Sequence, residues 1–196
     1  MQKDEPKVLF ATTNEHKFLE AQSIMKEYGV ELVFLARKGL EVQSDSIEEI
    51  ANRSAIFSSS DARVPVVVED AGLFVDALKG FPGPYSSYVF RTLGCDGILR
   101  LLEGNPDRKA RFVSAVAFCE PNNPPICFSA ATEGMIELEA RGSAGFGFDP
   151  IFMPAGGGTK TFAEMTVSEK NRQSHRAKAF RRFAEWYVDW LWDTFC

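Results

Sequence analysis

The chain has 196 residues, of which 45% are hydrophobic and 25% charged, an ordinary globular composition with length for one good core and at most two domains. A formal charge of −5 and a pI near 5.2 exclude affinity for bulk nucleic acid, which needs a basic face, and favour small molecules or proteins as partners. No window approaches the roughly 20 apolar residues of a membrane helix and residues 1–7 are polar, so a soluble cytoplasmic protein without a membrane partner is expected. Cys95, Cys119, Cys127 and Cys196 show no C-x-x-C spacing and read as reduced thiols, two of them in core strands. With only His16 and His175 available, metal chemistry must rest on carboxylates, which points to Mg²⁺.

Residues 7–11 form an apolar run that breaks into Thr12-Thr13-Asn14-Glu15, after which Phe18, Ala21, Ile24, Met25 and Tyr28 recur at helical spacing. A strand over 30–35 and a helix over 47–60 with an acidic first turn follow. The β-branched run 65–68 predicts a strand covered on both faces, ending at Glu69-Asp70-Ala71-Gly72. This β-α-β-α-β order predicts an α/β layer architecture with a largely parallel central portion. The spacing then gives a helix over 96–102 and strands over 111–119, 126–134 and 135–138, an antiparallel meander belonging to a second lobe. Residues 143–158 are rich in Gly, Pro and Phe, and one apolar stripe runs along a terminal helix over 174–192. The whole chain, 1–196, reads as a single domain with lobe boundaries near 75–110 and 140–150.

Five features carry candidate chemistry, each with a purely structural alternative. Thr12, Thr13, Asn14, Glu15, His16 and Lys17 sit between strand and helix, where free N–H groups, hydroxyls and one ammonium suit a phosphate; a capping loop with a solvated lysine is the alternative. Glu69 and Asp70 end a buried strand at the sheet edge where ligands bind, or Asp70 merely caps the next turn. Together Glu49 and Asp70 would make a minimal oxygen site for Mg²⁺. Residues 81–87, FPGPYSS, read as a rigid turn with two hydroxyls. Phe146 and Phe148 around Gly147, with Asp149 as acceptor, would hold a flat purine ring, or else form a tight corner of the core. Lys170, Asn171, Ser174, His175 and Arg176 place cations where the last helix begins, against its dipole, so local stability does not explain them; a solvated basic face is the alternative. Thr166-x-x-Glu169 has capping-box form and needs no function.

In this order TTNEHK, EEIA, VVVEDAGL, FPGPYSS, GFGFDPIF, TFAEMTVSEKN and SHRAKAF resemble the inosine/xanthosine triphosphate pyrophosphatase family, the HAM1-like enzymes, and look closest to its archaeal and eukaryotic branch. The resemblance covers nearly the whole chain from Val8. It implies an elongated mixed β-sheet with flanking helices, two lobes around a nucleotide-binding cleft, and a homodimeric, Mg²⁺-dependent enzyme. That enzyme would hydrolyse the nucleoside triphosphates ITP, dITP and XTP to monophosphate and pyrophosphate. The matching residues are Thr12, Asn14 and Lys17 for the triphosphate and Glu49 for the metal, with Glu48 a rival. Asp70 matches a metal ligand or the base for the attacking water, with Glu69 beside it as another proton acceptor. Ala71 stands where a hydroxyl residue is common, and Arg53 and Ser54 stand near the place of a bacterial lysine. Phe146, Phe148, Asp149, Lys170, His175 and Arg176 match the base pocket.

Overall fold

The computed structural model describes residues 6–37, 39–40 and 42–195, the last three as backbone alone. Residues 1–5 and the thiol of Cys196 therefore lie outside the described residues. The elements are β1 (Lys7–Ala11), α1 (Glu15–Glu27), β2 (Glu31–Leu35), α2 (Ile47–Ala62), β3 (Val66–Val75), β4 (Pro82–Gly83), α3 (Ser86–Thr92), α4 (Gly94–Leu101), β5 (Lys109–Cys119), β6 (Ile126–Ile136), β7 (Phe152–Pro154), α5 (Val167–Asn171) and α6 (His175–Phe195). The strands make one mixed sheet in the order β2-β1-β3-β5-β6-β7, with β4 paired to β3. Its β2-β1-β3 part is parallel, as expected for a β-α-β-α-β unit. The link 120–125 is too short for a parallel crossover, so β5 and β6 run antiparallel, as β6 and β7 do.

Contacts divide the chain into two compact units: residues 1–70, 115–129 and 176–196 form unit 1, and residues 71–114 and 130–175 form unit 2. In unit 1, the Phe10 ring packs on Phe18 of α1 and edge-on to Phe180 of α6, which fixes both helices against β1. Phe118 of β5 meets Phe183, Tyr187 and Trp190 of the apolar stripe read from the sequence, and Trp186 beside them. Unit 2 has its own core, in which Leu73, Val75, Ile98, Leu102, Ile151, Phe152 and Phe162 are buried completely or nearly so.

Three local expectations need correction. The buried strand does not stop at Val68: β3 continues to Val75 because Leu73 and Val75 still alternate into a core and β4 pairs with Leu73 and Phe74. Glu69 and Asp70 thus lie in mid-strand. Residues 135–138 are not a separate strand, since Met135 and Ile136 extend β6 and the third strand of the meander is β7. Gly134 allows this close pairing, because a Cβ there would strike the Met153 carbonyl and the Phe152 ring. Finally, the FPGPYSS turn opens a helix: Ser86 Oγ donates to the Gly83 carbonyl and accepts the Leu73 N–H, both at 2.7 Å, so this buried hydroxyl ties β3 to the turn.

Candidate active site

In unit 1, β1 delivers the chain to a loop whose polar groups cap α1. Thr12 Oγ1 accepts the Asn14 N–H, and Asn14 Oδ1 accepts the Lys17 N–H, both at 3.1 Å. Thr13, Glu15 and His16 are exposed, whereas Lys17 is largely covered. The Lys17 ammonium lies 2.8 Å from Glu69 Oε2 and donates to the Glu69 carbonyl at 3.3 Å. Arg176, at the head of α6, donates through Nε to Glu69 Oε1 at 3.1 Å and through Nη1 to Glu20 Oε2 at 2.7 Å. Four charged side chains, two of each sign, thus meet in the interior of this unit.

Glu69 is the centre of this group. Both of its carboxylate oxygens face cations and its side chain is wholly buried, an arrangement for holding charge in place. Asp70, half-buried, is the next strand residue and points to the other face of the sheet. Glu20 was not singled out from the sequence, although its i, i+3 spacing from Lys17 puts both on one face of α1.

The first turn of α2 separates Glu48 from Glu49. Ser46 caps the helix, and its hydroxyl also donates to Glu48 Oε2 at 3.0 Å. Burial would raise the Glu48 acid, but hydrogen bonds from its own backbone, Ser129 and Ser46 prevail and hold it below its ordinary value. Glu49 is exposed, accepts from Ser44 Oγ at 2.9 Å, and has Arg53 at 3.9 Å. Glu48 is thus engaged inward and Glu49 is open to a ligand. Among the described residues no group of three or more His, Cys, Asp or Glu side chains is placed to hold a metal.

Unit 2 holds the remaining candidates. Asp149 Oδ2 lies 2.6 Å from Lys170 Nζ, with both side chains buried, and also accepts the Phe146 N–H at 2.9 Å. Gly145, at φ +74°, passes so close that a Cβ would strike the Asp149 carboxylate. The Lys170 ammonium lies 5.0 Å from the Phe146 ring centroid and 5.4 Å from that of Phe162. His175 is buried and stacks on Phe112 with ring centroids 4.6 Å apart and planes 9° apart.

These placements revise the expected two-ring clamp. Phe148 turns into the core, edge-on to Phe90 at 5.4 Å, while Phe146 is half-buried. Gly147, at φ +63°, makes the turn between them. Ala71 is half-buried in mid-β3. Lys170 and Asn171 are not at the start of the last helix but close α5, whose capping box of Thr166 and Glu169 is formed as read. The solvated basic face is excluded for Lys170, His175 and Arg176, all of which are buried.

The profile of the Ham1 family matches residues 8–186. The chain belongs to the Ham1 family. A dITP/XTP pyrophosphatase of the archaeon Methanopyrus kandleri is 53% identical to this Ham1 chain over 181 residues, covering 92% of it and 96% of the relative. The protein of the same name from Pyrococcus horikoshii is 44% identical over 180 residues, with 92% and 96% covered. Among solved structures, a HAM1 protein from Coxiella burnetii superposes with a TM-score of 0.83 at 27% identity, covering 94% of this chain and 99% of that one. The mixed α/β fold expected from the motifs is the fold of the family.

Proposed function

We propose that this chain hydrolyses the deaminated purine nucleoside triphosphates dITP, ITP and XTP to monophosphate and pyrophosphate. The observation that carries the reading is the 53% identity, over 92% of the chain, with a dITP/XTP pyrophosphatase. In this reading Thr12, Thr13, Asn14, Glu15, His16 and Lys17 form the triphosphate loop. An ammonium has three donors, and Lys17, ion-paired with Glu69 Oε2, gives one to the Glu69 carbonyl, which leaves donor capacity for a phosphate oxygen. The N–H groups at the start of α1 add to the attraction.

Carboxylate oxygens suit Mg²⁺, a hard cation. Glu49 on α2 and Asp70 on β3 supply carboxylate oxygens, and this ion takes its other ligands from phosphates and water. When bound it would neutralise charge on the phosphates and favour ionisation of an attacking water. Asp70 accepts the proton of that water, because Glu69 is committed to two cations. For the base, Phe146 offers a ring face and the Asp149–Lys170 pair fixes the turn that carries it. His175 and Arg176 supply N–H groups that donate to the 6-oxo group, whereas a 6-amino group would leave a buried donor unmatched. The proposal includes a homodimer in the cytoplasm; light scattering checks the former, and a concentration-independent monomer mass counts against it.

Pyrophosphate release from ITP, XTP, dITP, GTP and ATP, with Mg²⁺ and with excess chelator, tests the reading. Metal-dependent turnover of ITP, XTP and dITP over GTP and ATP is expected. Equal turnover of all five removes the base assignment, and release of single phosphate removes the position of attack.

A further inference from the structure

We infer that Glu69 is a positioning residue that holds the phosphate-binding ammonium and the base-reading guanidinium in one frame, and is not a proton acceptor. The inference rests on the reading above, in which Lys17 meets the triphosphate and Arg176 meets the purine. Glu69 is where these two assignments join. Its Oε2 lies 2.8 Å from Lys17 Nζ and its Oε1 accepts from Arg176 Nε at 3.1 Å, while its backbone carbonyl accepts a hydrogen bond from Lys17 Nζ at 3.3 Å. Three separate elements contribute: Lys17 comes from α1, Glu69 from β3 and Arg176 from α6. Glu20, three residues after Lys17, holds the other edge of the guanidinium at 2.7 Å.

The physical argument is one of charge and freedom. Lysine and arginine side chains have many rotamers, and each loses that freedom when it binds a ligand. A buried carboxylate between them sets both in advance, and within this group two acids balance two bases. A carboxylate with a cation on each oxygen is poorly placed to collect a proton from water. Asp70, the next residue, faces the opposite side of the same strand. Glu69 therefore acts on both ends of the nucleotide through Lys17 and Arg176, and contributes mainly to binding.

The experiment separates the two ends with probes that each occupy one of them. Binding of inorganic pyrophosphate and of inosine monophosphate, both with Mg²⁺, is measured by calorimetry for the wild type and for Glu69→Gln. The substitution is expected to weaken both probes by about tenfold or more, the loss of charge-assisted contacts at each cation. With ITP, KM is expected to rise more than kcat falls, and the acid limb of the kcat–pH profile is expected to stay in place. Glu20→Gln, which removes the carboxylate 2.7 Å from Arg176 Nη1, is expected to weaken inosine monophosphate and leave pyrophosphate unchanged; this variant decides the matter if Glu69→Gln does not fold. Unchanged affinity for both probes with kcat abolished makes Glu69 the proton acceptor and overturns the inference. Weakening of only one probe by Glu69→Gln, or of pyrophosphate by Glu20→Gln, overturns the shared frame. A wild type that binds both probes but fails to cleave ITP refutes the proposed reaction while leaving the frame to be judged on the binding data; a wild type that binds neither refutes both.

Discussion

The Lys170 ammonium and the Asp149 carboxylate stand 2.6 Å apart with only 4% of either side chain exposed. Removing one partner strands the other in the interior. Asp149→Asn and Lys170→Met are each expected to cost about 3–5 kcal/mol, and the double substitution less than the sum of the two. Urea unfolding followed by circular dichroism measures this, and strictly additive losses would mean that the pair is not coupled.

Asp70→Asn keeps the shape of the side chain and removes its negative charge. Turnover is expected to fall by at least about a thousandfold, the scale of a lost general base combined with a weakened metal site, while nucleotide binding persists. Pyrophosphate release together with calorimetric titration of the nucleotide distinguishes the two effects. Unchanged turnover removes Asp70 from the mechanism.

Acid stability is tied to Glu48. Its native acid lies below the ordinary value of 4.5, so near that pH the unfolded chain binds more protons than the folded one. The stability from Glu48 is complete above 4.5 and is lost as pH falls through the lower native value. Glu48→Gln is expected to flatten the decline of the urea midpoint over this range. An unaltered slope would contradict the role given to Ser46 and Ser129.

Alkaline stability is tied to Tyr187, whose hydroxyl donates to the Lys7 carbonyl at 3.1 Å. Burial, with Glu120 adding to it, pushes the phenol up to about 12 from 10. The folded state therefore retains this proton longer than the unfolded chain, and stability falls as pH rises from 10 toward 12. Tyr187→Phe is expected to lessen that fall and to cost about 1 kcal/mol at neutral pH. Ultraviolet phenolate titration should show Tyr187 ionising well after an unperturbed tyrosine.

The parts legible in the sequence were those written in local spacing. Phe18, Ala21, Ile24 and Met25 declare α1, and the stripe through Phe183 and Tyr187 declares α6. Strand β3 was cut short because Glu69 and Asp70 interrupt its apolar run, and an acid turned inward to cations looks the same in sequence as one turned out to water. The Arg176–Glu20 pair spans 156 positions and the Lys170–Asp149 pair 21, so neither has a periodic signature. Phe148 was read as a ligand clamp because a turn rich in Gly and Phe suits a flat ring; its contact with Phe90 exists only once α3 has formed. The hydrogen bond that Ser129 of β6 makes to Glu48 joins residues far apart in the chain, so no spacing within α2 announces it.

The aromatic cluster at the end of α6 gives the molecule a selective optical reporter. Trp186, Trp190 and Trp192 are the only tryptophans in the sequence, and all three belong to unit 1, with the Trp186 and Trp190 rings 5.9 Å apart. Intrinsic fluorescence therefore follows the melting of unit 1 and is nearly silent to unit 2, whose chain offers only tyrosine emission from Tyr85 and Tyr88. A fluorescence midpoint that departs from the ellipticity midpoint would reveal that the units unfold separately, without any label added to either.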